Sequence, residues 1–184
     1  FKDERLQQAK EHLKNAIELD KTFSASYTSL AFCLIHEVVQ RIAQDTNEHL
    51  DEILDLSQKA EKLDPQNAHA KSCIAYVYQT KGNHKKALEN SKKAVEINPD
   101  SNQANYQLGM MLYEDLKDIE AIKYFDKCDE YDADERLLIC YYRTKNIKEF
   151  ESRLSKIKQN KPNSRIIASL VNHYAHSYEI NNPY

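Results

Sequence analysis

The pattern written twice between Ala68 and Glu135 limits what this chain can fold into more than any other feature. Ile74-Ala75-x2-Tyr78, Ala87-x3-Ser91, Ala94 and Asn98-Pro99 return as Leu108-Gly109-x2-Leu112, Ala121-x3-Phe125, Cys128 and Asp132-Ala133. The members of each pair stand 34 residues apart. A period of about that length, with two helical segments per unit, specifies stacked repeats and not one globular core.

Composition agrees with an all-α chain. Two glycines and four prolines are few breaks in 184 residues, and Ala, Leu, Glu, Lys and Gln sum to a high helix propensity. The net charge of −3 and pI near 6.2 lack the basic signature of a nucleic-acid-binding domain, so no direct contact with nucleic acid is expected. No apolar run approaches the roughly 18 residues that a membrane-spanning helix needs. The chain opens at Phe1 on charged residues that are unlike a signal peptide, which reads as an excised part of a longer protein and leaves its location open. Cys33, Cys73, Cys128 and Cys140 form no CxxC pair and are expected to be reduced, mostly buried thiols of a cytoplasmic protein, a periplasmic domain being the alternative.

Apolar spacing divides the chain into units. Residues 4–23 form a half-unit: Ala9-x3-Leu13-x2-Ala16-x2-Leu19-Asp20 matches only the second helix of the later repeats. Residues 24–67 form a lengthened unit, with Ser24 as the expected cap of its first helix. Its anchors Ala9 and Ile53 lie 44 residues apart, ten more than the period, which predicts two lengthened helices joined near Asp45–Asn47. Residues 68–101 and 102–135 are regular units, the first turning at Gly82-Asn83, where a positive φ is cheap for glycine. Leu116-Lys117-Asp118 stands at the same place in the next unit and predicts a less sharply specified turn. Residues 136–162 form a shortened unit, because Phe150 follows Ala121 by only 29 residues, and its first helix is expected to lose more than a turn. Ile166, Ile167, Leu170, Val171 and Tyr174 then predict a closing helix over 163–180, apolar on one face only.

These anchors resemble the tetratricopeptide repeat, whose 34-residue pattern runs through a large residue, Leu-Gly, an aromatic, Ala, Phe and Pro. Ile53 and Phe150 depart from it, standing where Ala is usual. The resemblance implies a right-handed α-solenoid of antiparallel helix pairs with a C-terminal capping helix, its first helices lining a concave groove. Stripes at Thr28-Phe32-Ile35, Ser72-Tyr76-Gln79 and Tyr106-Met110-Tyr113 follow helical spacing independently of it. Each helix needs only one stripe to pack on its partner, so the second either meets the neighbouring repeat or faces the groove. Both readings stand at this point. On the groove reading Phe32, Tyr76, Gln79, Tyr106, Met110 and Tyr113 contact a protein or peptide partner, tyrosines supplying apolar area and a hydroxyl. The Lys/Asn/Arg clamp of relatives that bind acidic chaperone tails is replaced on this surface by Ser72, Tyr76, Tyr106 and Met110, which argues against that ligand.

Residues 114–135 carry ten carboxylates against three lysines, and 145–161 carry six cations against two glutamates. They are expected to be solvated faces that partly pair between adjacent helices. His173 and His176 lie i, i+3 without further ligands and read as a surface pair, so no metal is expected. No phosphate loop, nucleophile elbow or HExxH is present. No catalysis and no cofactor are expected. The chain reads as a protein-binding module, a sensing or oligomerising part of a larger regulatory protein. Its layout is similar to the repeat tails of bacterial winged-helix transcription regulators and some adenylate cyclases. A stand-alone scaffold or assembly chaperone is the alternative, as is a structural self-association domain forming a homodimer through its cut face.

Overall fold

The computed structural model describes residues 2–40, 46–128 and 131–160. Among these, every regular element is an α-helix: α1 (Lys2–Leu19), α2 (Ser24–Val39), α3 (Thr46–Leu63), α4 (Ala68–Thr80), α5 (His84–Ile97), α6 (Asn102–Glu114), α7 (Asp118–Phe125), α8 (Tyr131–Arg143) and α9 (Ile147–Asn160). The chain divides into two compact units, and the division falls between Met111 and Leu112, inside α6. The closing segment 163–180, with His173 and His176, lies outside the described residues.

In the first unit α2 pairs with α3 and α4 with α5, α3 also packs on α4, and α1 packs on α2. The core is built from Ala31 and Leu34 of α2, Leu50 and Ile53 of α3, and Cys73 and Val77 of α4. Alanine opposite isoleucine lets the large side chain sit fully buried where two helices approach closely. The lengthened unit spends its extra residues largely on helix: α2 and α3 run to 16 and 18 residues against 13 and 14 in α4 and α5. Thr46 and Asn47 already belong to α3, so they are not the join expected there.

Helix starts follow their caps. The Asn67 side chain accepts from the Ala70 N–H at 3.0 Å and Asn83 from Lys86 at 3.3 Å, satisfying amides that the first turn leaves free. Ser24 is a correction. Phe23 holds the cap position of α2 without a side-chain bond, and the buried Ser24 hydroxyl donates to the Ala60 carbonyl of α3 at 3.0 Å while accepting from Asn67 at 2.7 Å. An interhelix link has captured the group that would have capped.

The second unit corrects where the array is short. α8 has 13 residues, as many as α4 and α6, whereas α7 has only eight. Leu137-Leu138-x2-Tyr141 reproduces Leu108-Gly109-x2-Leu112, and Phe150 follows Leu137 by 13 residues, as Ala121 follows Leu108. The α8–α9 hairpin is therefore regular, and the deletion falls in the helix before it. Cys128, expected inside that helix, follows it as a buried residue whose thiol meets the Tyr124 carbonyl at 3.4 Å.

Two positions four residues apart on each second helix vary in size from unit to unit. They read Ile53/Ser57, Ala87/Ser91, Ala121/Phe125 and Phe150/Leu154. Ser57 and Ser91 are fully buried, their hydroxyls donating to the Ile53 and Ala87 carbonyls at 2.7 and 2.9 Å, so neither hydroxyl is orphaned.

Three hairpin turns share one geometry. Gly82, Leu116 and Lys145 all take positive φ, at 74°, 58° and 57°. The next amide reaches back six residues inclusive in each: Asn83 to Tyr78 at 2.7 Å, Lys117 to Leu112 at 2.9 Å and Asn146 to Tyr141 at 2.8 Å. This is the Schellman closure, which wants glycine. The turn at Leu116 is thus as tightly specified as the one at Gly82, with the strain carried by an exposed leucine. Leu116→Gly is expected to raise stability, and Gly82→Ala to lower it, each by about 1 kcal/mol. A Cβ at Gly82 meets nothing within 4 Å, so that cost is purely backbone. Urea denaturation of both variants checks this; a destabilised Leu116→Gly would refute the strain.

Candidate functional site

Five of the six residues that the sequence singles out lie on the first helices α2, α4 and α6 within the first unit. Phe32 and Tyr76 both pack against the α2–α3–α4 core cluster and are half-buried. Phe32 also meets the His69 ring edge-on, with centroids 5.8 Å apart. Burial pushes the Tyr76 hydroxyl above its ordinary pKa, opposed by a hydrogen bond with Thr80. Gln79 accepts from Gln107 Nε2 at 2.6 Å, a bond between α4 and α6 in which Gln107 is only 2 % exposed. Tyr106 and Met110, half-buried, follow on α6 one turn apart. The two readings of the stripe thus combine: the rings rest on core at one edge and remain open to solvent at the other.

Tyr113 belongs to the second unit, where its ring is engaged by two guanidiniums. Arg143 lies 4.4 Å from the ring centroid and Arg136 5.6 Å from it, within the range of cation–π attraction. Arg143 is further held by both carboxylate oxygens of Asp118, its Nε at 2.9 Å. Arg153 of α9 donates from two nitrogens to one oxygen of Asp134 of α8, Oδ1, its Nε at 2.7 Å. The acidic stretch 114–135 therefore pairs with cations of the adjacent helices, once with Arg143 and once, through Arg153, with the basic stretch.

Sequence reasoning missed one polar centre. Glu37 is 3 % exposed and accepts from Lys10 at 2.8 and 2.9 Å and Gln7 at 2.9 Å, with His49 Nε2 at 3.2 Å. Three helices, α1, α2 and α3, meet on this carboxylate. Burial pushes its pKa up, but the bonds and charge of Lys10, with Gln7 and His49, outweigh that and hold it below the ordinary range. The signal was available, since Glu37 is the one carboxylate in α2. Among the described residues, no group of three His, Cys, Asp or Glu could hold a metal ion, and no helix is long and apolar enough to cross a membrane.

Residues 74–101 and 103–135 each match the family model of the tetratricopeptide repeat. The chain carries tetratricopeptide repeats. No curated protein matches it. Among solved tetratricopeptide repeat structures it is similar to YrrB, which has an unusual peptide-binding site, at 22 % identity over 93 % of this chain and 86 % of that one, with a TM-score of 0.57. TTC0263, a protein of Thermus thermophilus, aligns at 19 % identity over 77 % and 75 % of the two chains, TM-score 0.63. MamA aligns at 15 % over 86 % and 92 %, TM-score 0.60. At these identities the likeness shows the tetratricopeptide fold alone.

Proposed function

We propose that this chain is a protein-binding module that takes an extended peptide or helix of a partner on the first-helix face of its first unit. The observation that carries this is that Phe32, Tyr76, Tyr106 and Met110 of the first helices are all half-buried, while the Gln79–Gln107 amide pair links α4 to α6. Rings fixed at one edge by the core lose little further freedom on binding, and aromatic anchors and amides suit a peptide's side chains and backbone together. That YrrB carries a peptide-binding site on the same fold supports the reading. The layout of a half-unit, a lengthened unit and regular units supports a place in a larger regulatory protein, as its sensing or oligomerising part.

The test starts from a displayed random-peptide library selected on the chain. The selected peptide's affinity is then measured for the wild type and for Tyr76→Ala/Tyr106→Ala by fluorescence anisotropy. Loss of at least tenfold affinity with unchanged circular dichroism is expected. Equal affinity in the two proteins would overturn the assignment of the face.

A further inference from the structure

The face proposed above meets water yet is almost without charge. α3 carries seven charged side chains in 18 residues and α5 six in 14. α2 carries one in 16 and α4 one in 13, and residues 102–111 of α6 carry none. Both exceptions are engaged. Glu37 is 3 % exposed and held by Lys10 of α1, and Lys71, 13 % exposed, is held by Glu61 of α3.

Burial does not account for this. Eighteen residues of α2, α4 and 102–111 are half-buried or exposed, and Lys71 is the one Asp, Glu, Lys or Arg among them. In a chain with 30 % charged residues, an ordinary surface of that size would carry about five. Phe32, Ile35, Val38, Tyr76, Tyr106 and Met110 stand at such positions instead. The polar residues there are uncharged too, among them Gln79, Asn102 and Gln103. Lys86 of α5 lies over the Tyr78 ring at 4.9 Å, but Tyr78 is two residues from Tyr76 and so on another side of α4.

Such a face selects by what it withholds. A carboxylate or an ammonium pressed onto it loses water and meets no opposite charge, which is unfavourable whatever its sign. Apolar side chains gain by burial there, and amides and hydroxyls lose far less than ions do. We infer that the partner segment held on this face is itself uncharged, a run of apolar, aromatic and amide side chains without Asp, Glu, Lys or Arg. α2 packs against α4 and Gln107 ties α6 to Gln79 of α4. At the usual helix spacing of about 10 Å these three helices span roughly 20 Å, or about six residues of extended chain. The uncharged segment rests on the peptide-binding reading and names its ligand class.

A displayed random-peptide library selected on the chain should yield peptides that share an uncharged core of about six residues. One of them is then remade with Asp or Lys at the centre of that core, and with Asn or Met as neutral counterparts of similar size. His36 and His69 are exposed on α2 and α4, so fluorescence anisotropy is run at about pH 8, above histidine's usual titration range. The Asp peptide should bind at least tenfold more weakly than the Asn peptide, and the Lys peptide than the Met peptide. Raising NaCl from about 0.05 to about 0.5 M should change the affinity of the selected peptide less than twofold. Charged selected cores, a charged version that binds as well as its neutral counterpart, or an affinity that falls tenfold with salt would overturn the inference. Tyr76→Ala/Tyr106→Ala separates it from the reading beneath it. If that variant loses binding while the peptides are charged, the face stands and its ligand class falls. If it binds as the wild type does, or the library yields no binder, both fall.

Discussion

Phe125→Ala should cost the second unit about 4 kcal/mol of stability, the largest effect expected of a single side chain here. The ring is fully buried at the last residue of an eight-residue helix. Such a helix is too short to hold itself together in water. It therefore depends on what it buries, and its buried residues are Ala121 and Phe125. Truncation leaves a ring-sized cavity that neighbouring backbone cannot close without unwinding α7. Phe125→Leu keeps most of the volume and should cost less than about 1.5 kcal/mol. Urea denaturation followed by far-ultraviolet circular dichroism separates the two, and a loss below about 1 kcal/mol for the alanine variant would mean that α7 is anchored elsewhere.

The second large effect belongs to Lys10. Lys10→Met should destabilise the first unit by about 3 kcal/mol, because it strips the cation from a carboxylate that stays buried. A buried Glu37 left with Gln7 and His49 but without the lysine charge is the source of that cost, so Lys10→Met/Glu37→Leu should recover most of it. A double variant as unstable as the single one would show that packing of the lysine stem, not charge, is what matters. The pH dependence has a definite sign. Glu37 titrates below its ordinary value of 4.5 in the folded chain, so its contribution is complete above that value and is lost as pH falls through the folded one. The stability gap between wild type and Glu37→Gln should accordingly be constant near neutrality and narrow below pH 4.5.

Periodicity carried the fold because a helix face repeats every three to four residues and a hairpin every 34. It carried the candidate face for the same reason: Phe32, Tyr76 and Tyr106 are found by counting. It failed where counting was anchored on the wrong pair. Aligning Cys128 with Ala94 assumed a full-length second helix, which moved the deletion into α8; the signature Leu137-Leu138-x2-Tyr141 fixes it in α7 instead. Ser24 illustrates a different limit. A serine before an apolar run is an excellent cap on local grounds, but its hydroxyl is bonded to Ala60, 36 residues away, and such competition has no local trace. Glu37 and Gln107 are of this second kind, since their partners Lys10 and Gln79 are 27 and 28 residues distant. The sixth candidate, Tyr113, has the right spacing but is stacked with Arg136 and Arg143, a claim on its ring that only the α8 register reveals.

The differing sizes at these two places on the second helices mean that these units are not spare parts for one another. Bulk sits one turn earlier in α3, as Ile53 before Ser57, and one turn later in α7, as Phe125 after Ala121. α5 carries none at either place. Recombination that swaps whole hairpins would import a knob without its hole, so drift in this array is channelled into compensating pairs, and duplication of a unit is safest when the helix that follows is copied with it.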